Sequence, residues 1–276
     1  MRASLASHAW IRAVVLALGL WAFAVSAAAQ TGPEHAAWNR LLAAHVHWSP
    51  DGHASTVDYA GMRADRVALR AYLAALPAVR PETFKTWSDK AQLAFLINAY
   101  NAWTVELILT GYPGIASIKD LGSLLRSPWQ KPFIPLLGQT RSLDDIEHGL
   151  IRGSRRYRDP RIHFALNCAS IGCPALRPEA YAAERLDAQL EDQMRRFLSD
   201  RSRNGVRGEA LVVSPIFKWY RGDFEQGFGG WHRLEDFLAG HAADLGLSQA
   251  QASALRSGAL PVRFGDYDWR LNDGRH

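Results

Sequence analysis

The chain has 276 residues, a formal net charge of +5 and only two cysteines. The length suits one sizeable domain or two small ones, and so mild a positive balance is weak ground for a nucleic-acid partner. The absence of G-x-G-x-x-G, P-loop, H-E-x-x-H and G-x-S-x-G motifs speaks against dinucleotide, nucleotide, zincin and serine-hydrolase chemistry.

Residues 1–29 read as a secretory signal. Arg2 and Arg12 form the positive region, Ala13 to Val25 the apolar stretch, and Ala27-Ala28-Ala29 an A-x-A site whose cleavage after Ala29 leaves Gln30 first. The apolar run is short and no charged stop-transfer flank follows, which favours cleavage over anchoring. No later segment is long and apolar enough to span a bilayer. The expectation is a periplasmic protein with no membrane span in the mature chain. Export also removes nucleic acid from the reach of the basic run Arg152, Arg155, Arg156, Arg158 and Arg161. That run reads as a solvated loop or as an anion site for a carboxylate or phosphate group.

Residues 34–47 have the pattern of an amphipathic helix, and Val57-Asp58-Tyr59 is a short extended piece before a helix from Ala60 to Leu76. Two prolines make residues 77–86 a loop. Ser88 caps the strongest helix, nearly all apolar from Gln92 to Leu109 and stopped by Gly111 and Pro113. A helix this apolar is central and buried. Asn98 and Asn101, three residues apart, share one of its faces.

Phe133 to Leu137 reads as a strand, Gly138-Gln139 as a turn, and Ser142 with Asp145 as the cap of a helix ending near Arg152. Arg161 to Asn167 alternates as a strand, with Ile162, Phe164 and Leu166 on one face and Arg161, His163, Ala165 and Asn167 on the other. There follow an amphipathic helix over 183–198, a short strand Leu211-Val212-Val213, an aromatic-rich turn from Ile216 to Phe224, and a helix from Trp231 to Leu245. Val262 and Phe264, then Tyr267, Trp269 and Leu271, alternate around a bulge at Gly265. Helices dominate over short, scattered strands. The expected fold is a helix-rich α+β single domain over residues 30–276, with a small, mainly antiparallel sheet packed on the buried central helix.

The chemistry concentrates in residues 163–174, which deliver an imidazole, an amide and both sulfurs to one corner. Three readings fit. An exported chain with an even cysteine count favours a Cys168–Cys173 disulfide, a local clasp turned by Gly172 and Pro174. A cysteine nucleophile, hydrolase or acyl transferase, needs a thiolate, a histidine and an orienting polar group; Cys168, His163, Asn101 and Asn98 supply these types. Strand alternation opposes it, because it sets His163 across from Cys168. In the third, a non-catalytic binding or assembly module, the same polar residues merely tie helix to strand.

Arg161, Asn167, Ser170, Lys218, Trp219 and Tyr220 are the residues expected to touch a small or peptide-like ligand; Asp223 closes the same aromatic turn. His45, His47, Asp51 and His53 cluster, but i, i+2 histidines diverge on a helix, so neither a metal site nor a cofactor is expected. Glu147-His148 has acid/base chemistry, although adjacent helical residues do not face each other.

The segments LAFLINAYNAWTVELIL (93–109), DPRIHFALNCASIGCPAL (159–176), SPIFKWYRGDF (214–224) and YDWRLN (267–272) resemble the family called domain of unknown function 547. The likeness spans Trp87 to Asn272. The resemblance implies export and brings no settled activity.

Overall fold

The computed structural model describes residues 35–123 and 125–274. The signal sequence and cleavage point expected at residues 1–29 lie outside the described residues.

The helix Asp89–Leu109 organises the rest. Ser88 Oγ accepts the Ala91 N–H at 3.2 Å, and every residue from Ala91 to Leu109 except Trp103 is buried. A helix apolar on all sides has to be enclosed by others, and Arg66–Ala75 and the helix Asp145–Arg152 pack against it. Its buried charge is paired: Glu106 takes a bidentate contact from Arg66 and a further one from Arg70, as buried charge requires.

Strands are short and fall into three small sheets, which makes the fold α+β. Val46–Trp48 pairs antiparallel with Ser55–Val57, and Ile134–Leu136 with Gln139–Arg141. The second hairpin turns through Leu137 and Gly138, both with positive φ, the backbone a two-residue turn needs to match strand twist. Gly205–Arg207 and Val262–Phe264 flank Ala210–Val213, the first antiparallel and the second parallel.

Several elements depart from expectation. Residues 77–86 are not a loop: Pro81 sits in the first turn of a helix, Pro81–Thr86, where its missing N–H costs nothing. The helix expected over 231–245 is confined to Leu234–Gly240, after left-handed Gly229 and Gly230. A helix at Gln249–Ser257, with a Ser248/Gln251 capping box, was unforeseen. The cap at Ser142 holds, through reciprocal bonds with Asp145 of 2.7 and 3.0 Å, but the helix it opens is π-type.

The largest correction concerns residues 161–167, which form no strand. Pro160–Phe164 is a 3-10 turn, opened by Asp159, whose carboxylate accepts the Arg161 N–H at 3.0 Å, and by Pro160. The apparent alternation has no structural meaning, because every residue from Ile162 to Asn167 is buried. The objection that His163 and Cys168 lie on opposite faces falls with the strand.

Apolar residues gather into two clusters. The larger surrounds the central helix. The smaller is a set of phenylalanines, Phe164, Phe197, Phe217, Phe224 and Phe237, beneath the three-stranded sheet. The 160–174 segment runs along the seam, with Phe164 in the second cluster and its neighbours Ile162 and Leu166 in the first.

Candidate functional site

A cleft of about 190 Å³ opens on this seam. Tyr100 of the central helix and Leu166 form its floor. Asp144, Glu147 and His148 come from the π-type helix, His163, Cys168 and Cys173 from the seam segment, and Trp219 and Tyr220 from the helix Ile216–Trp219 and its end. Tyr267 and Trp269 of the C-terminal segment, with Trp129, close it.

The two cysteines are not bridged. They are free thiols with their sulfurs 2.9 Å apart, where a disulfide requires about 2.05 Å, so the expected clasp is replaced by a hydrogen-bonded pair. Cys173 Sγ accepts the Cys168 N–H at 2.9 Å, and the Tyr267 hydroxyl lies 3.0 Å from Cys168 Sγ. Hydrogen bonding with Cys173 lowers the Cys168 pKa below the ordinary thiol value against the opposing effect of burial, and Tyr267 adds to the lowering. Burial drives Cys173 well above that value. The pair is therefore polarised: Cys168, half-buried and facing the cleft, is the more acidic thiol, and thiolate character is what makes a cysteine reactive. The next residue, Ala169, has φ +62°, a left-handed conformation costly to any residue with a Cβ and found disproportionately at functional sites.

His163 is anchored from behind. Its Nε2 meets Asp223 Oδ2 at 2.7 Å, and Asp223 also accepts Arg152 Nε at 2.6 Å. Burial works to raise the Asp223 pKa, but the His163 and Arg152 contacts prevail and hold it well below the carboxylate range. A carboxylate accepting at Nε2 fixes the proton there and leaves Nδ1 as the basic nitrogen. Tyr220 stacks on the ring, with centroids 3.9 Å apart. Burial lowers the His163 pKa, so the imidazole is neutral at neutral pH.

The rest of the cleft is acidic and aromatic. Glu147 is 6% exposed, with His148 Nδ1 at 3.9 Å. These adjacent residues both line the cleft, contrary to the expectation that they point apart. Burial raises the Asp144 pKa. In the same lining Trp219 and Trp269 stack at 5.8 Å and Tyr267 lies 4.4 Å from Trp269.

Of the residues expected to act, Cys168, His163, Trp219 and Tyr220 line the cleft, and six do not. Asn101 donates to Ala165 O at 3.0 Å and accepts the Asn167 N–H at 2.9 Å; Asn98 makes the same two-way clamp on Tyr181. Both amides hold backbone. Asn167 spans its own turn, from the Ala169 N–H to Pro174 O. Ser170 is buried against the Cys168 carbonyl at 3.5 Å. Arg161 is saturated by Asp159, Asp187 and Glu191, and Lys218 points to solvent.

Asp223, Glu147, Tyr267 and Trp269 complete the arrangement instead. Asp223 was legible in one respect: it follows Tyr220 by three residues, so the two share a face, and both grip His163.

His45 pairs with Asp65 at 2.8 Å, and among the described residues no three or more His, Cys, Asp or Glu side chains gather as metal ligands. Among them, too, no helix is long and apolar enough to cross a membrane.

The fold and cleft thus define an α+β protein carrying a thiol and a carboxylate-anchored imidazole on the seam of two cores. Residues 84–198 match the family model described as Protein of unknown function, DUF547, and this part of the chain belongs to that family. The match takes in Glu147, His163 and both cysteines; Asp223 and most of the aromatic wall lie beyond it. No curated protein and no solved structure matches the chain.

Proposed function

We propose that the chain is a cysteine-dependent hydrolase or acyl transferase acting on a small or peptide-like substrate in this cleft, in the periplasm to which residues 1–29 direct it. The observation that carries the reading is that the acidified Cys168 and the Asp223-anchored His163 line one cleft. Nucleophile, base and orienting carboxylate are the parts acyl transfer needs, wherever they come from in a chain.

The neutral His163 Nδ1 takes the Cys168 proton, and the thiolate attacks the acyl carbon. An S–C bond forms, the bond to the leaving nitrogen or oxygen breaks, and the leaving group departs with the proton from His163. Water or an amine, deprotonated by His163, then attacks the thioester, which releases the acyl product and restores the thiol. Burial keeps the Tyr267 hydroxyl protonated, so it remains a donor to the sulfur.

The test is a panel of acyl p-nitrophenyl esters and peptide thioesters, read by intact mass. An acyl group on Cys168 in the native chain, absent from Cys168→Ala, is expected. Turnover that survives in Cys168→Ala, or no adduct with any member of the panel, refutes the proposal.

A further inference from the structure

We propose that the cleft receives an ammonium group on the substrate, pairing it with Glu147 and holding it against the wall of Trp219, Trp269 and Tyr267. This extends the reading of Cys168 as acyl carrier by naming what shares the cleft with it. The cleft lining contains two carboxylates, Asp144 and Glu147, and neither lysine nor arginine. Glu147 is nine-tenths buried; the Tyr220 hydroxyl donates a hydrogen bond to it, and among the described residues its one ion-pair neighbour is His148 at 3.9 Å. A buried carboxylate held by a neutral hydroxyl and without a close ion pair has room for a cation.

Arg152 feels the Glu147 charge but spends its hydrogen bonds on Asp223 and His148 Nδ1, at 2.6 and 2.9 Å. His163, neutral at neutral pH, brings no charge. The lining also includes Trp219, Tyr267 and Trp269, rings of the kind that attract ammonium groups through the quadrupole. Trp269 already carries one: Lys119 Nζ lies 3.6 Å from its ring centroid. Trp219 is 47% exposed, an unusual cost for a large apolar ring and one that a ligand would cover.

Binding is measured by tryptophan fluorescence in Cys168→Ser protein, where no acyl chemistry intervenes. The probes are 1,5-diaminopentane against pentane-1,5-diol, and Nα-acetyl-lysine amide against Nα-acetyl-norleucine amide. In at least one pair the ammonium member binds about ten-fold tighter or more. The larger preference tells a free diamine from a peptide side chain. Glu147→Gln abolishes the preference, and Trp219→Ala, at an exposed position, reduces it about five-fold. Equal affinities within both pairs overturn the proposal, as does a preference that survives in folded Glu147→Gln. Should that variant not fold, an unchanged preference in Trp219→Ala overturns it. Because the thiol is absent, this result stands or falls separately from that of the acylation test.

Discussion

His163 and Asp223 are sixty residues apart in the chain and meet at 2.7 Å. Each sits beside a phenylalanine of the smaller core, and Phe164 and Phe224 pack with ring centroids 5.9 Å apart. The core therefore brings the polar pair together, and the pair fixes the imidazole at the edge of the cleft. The same cleft is lined by Cys168, the thiol with the lowered pKa.

Asp223→Asn tests that coupling. Asparagine keeps the shape and offers the wrong hydrogen-bonding partner, so acyl transfer should fall by about 10²-fold or more, mainly in kcat, in protein that is less stable for losing the Arg152 pair but still folded at the assay temperature. Equal rates in the two proteins would show that Asp223 does not set the imidazole.

Acid sensitivity should arise at a second histidine. His35, bonded to Tyr72 Oη at 2.6 Å, has its pKa lowered by burial to about 4 from 6.5. Its unfolded form therefore takes up a proton first as pH falls below 6.5, and stability declines from there to about pH 4. Between pH 7 and 5 the loss from this group is about 2 kcal/mol. Urea unfolding at the two pH values should show a smaller loss in His35→Phe; identical losses would contradict the assignment.

Asn101→Leu leaves Ala165 O and the Asn167 N–H unpaired in the core. At about 1–3 kcal/mol for each of the two orphaned groups, a loss of about 2–6 kcal/mol is expected in chemical denaturation. Asn98→Leu should behave alike through Tyr181. A loss below about 1 kcal/mol in either would mean that the clamp is dispensable.

Gly172 explains how Tyr267 reaches the thiol. A Cβ there would stand 2.9 Å from Asp268 N and 3.0 Å from the Tyr267 ring, closer than packed atoms tolerate. Gly172→Ala should push Tyr267 aside and raise the pH midpoint of Cys168 alkylation, as Tyr267→Phe should. An unmoved midpoint in both variants would remove Tyr267 from the account.

Much of this was legible in the sequence where a single local rule governs. Ser88 and an unbroken apolar run specify the central helix, and the Ser142/Asp145 spacing announces its cap. The seam segment misled because its period-2 pattern is indistinguishable from burial on every side, and Asp159-Pro160, a helix-opening pair, was the stronger signal. The two asparagines were correctly read as sharing a face, but amides on a core helix serve backbone as readily as chemistry. The carboxylate partner of His163 was the hardest to foresee, since no local pattern links position 163 to 223; only packing of the phenylalanine core joins them.

Cys168 is the acidified, partly exposed thiol of the pair and Cys173 is not. Iodoacetamide labelling of the native reduced protein across pH, with the site located by peptide mass, measures this difference directly. One fast-labelled residue is expected, Cys168, with a midpoint below the ordinary value of about 8.5, and Cys173 labelled only on unfolding. Labelling of Cys173 first, or a Cys168 midpoint at or above that ordinary value, would contradict it.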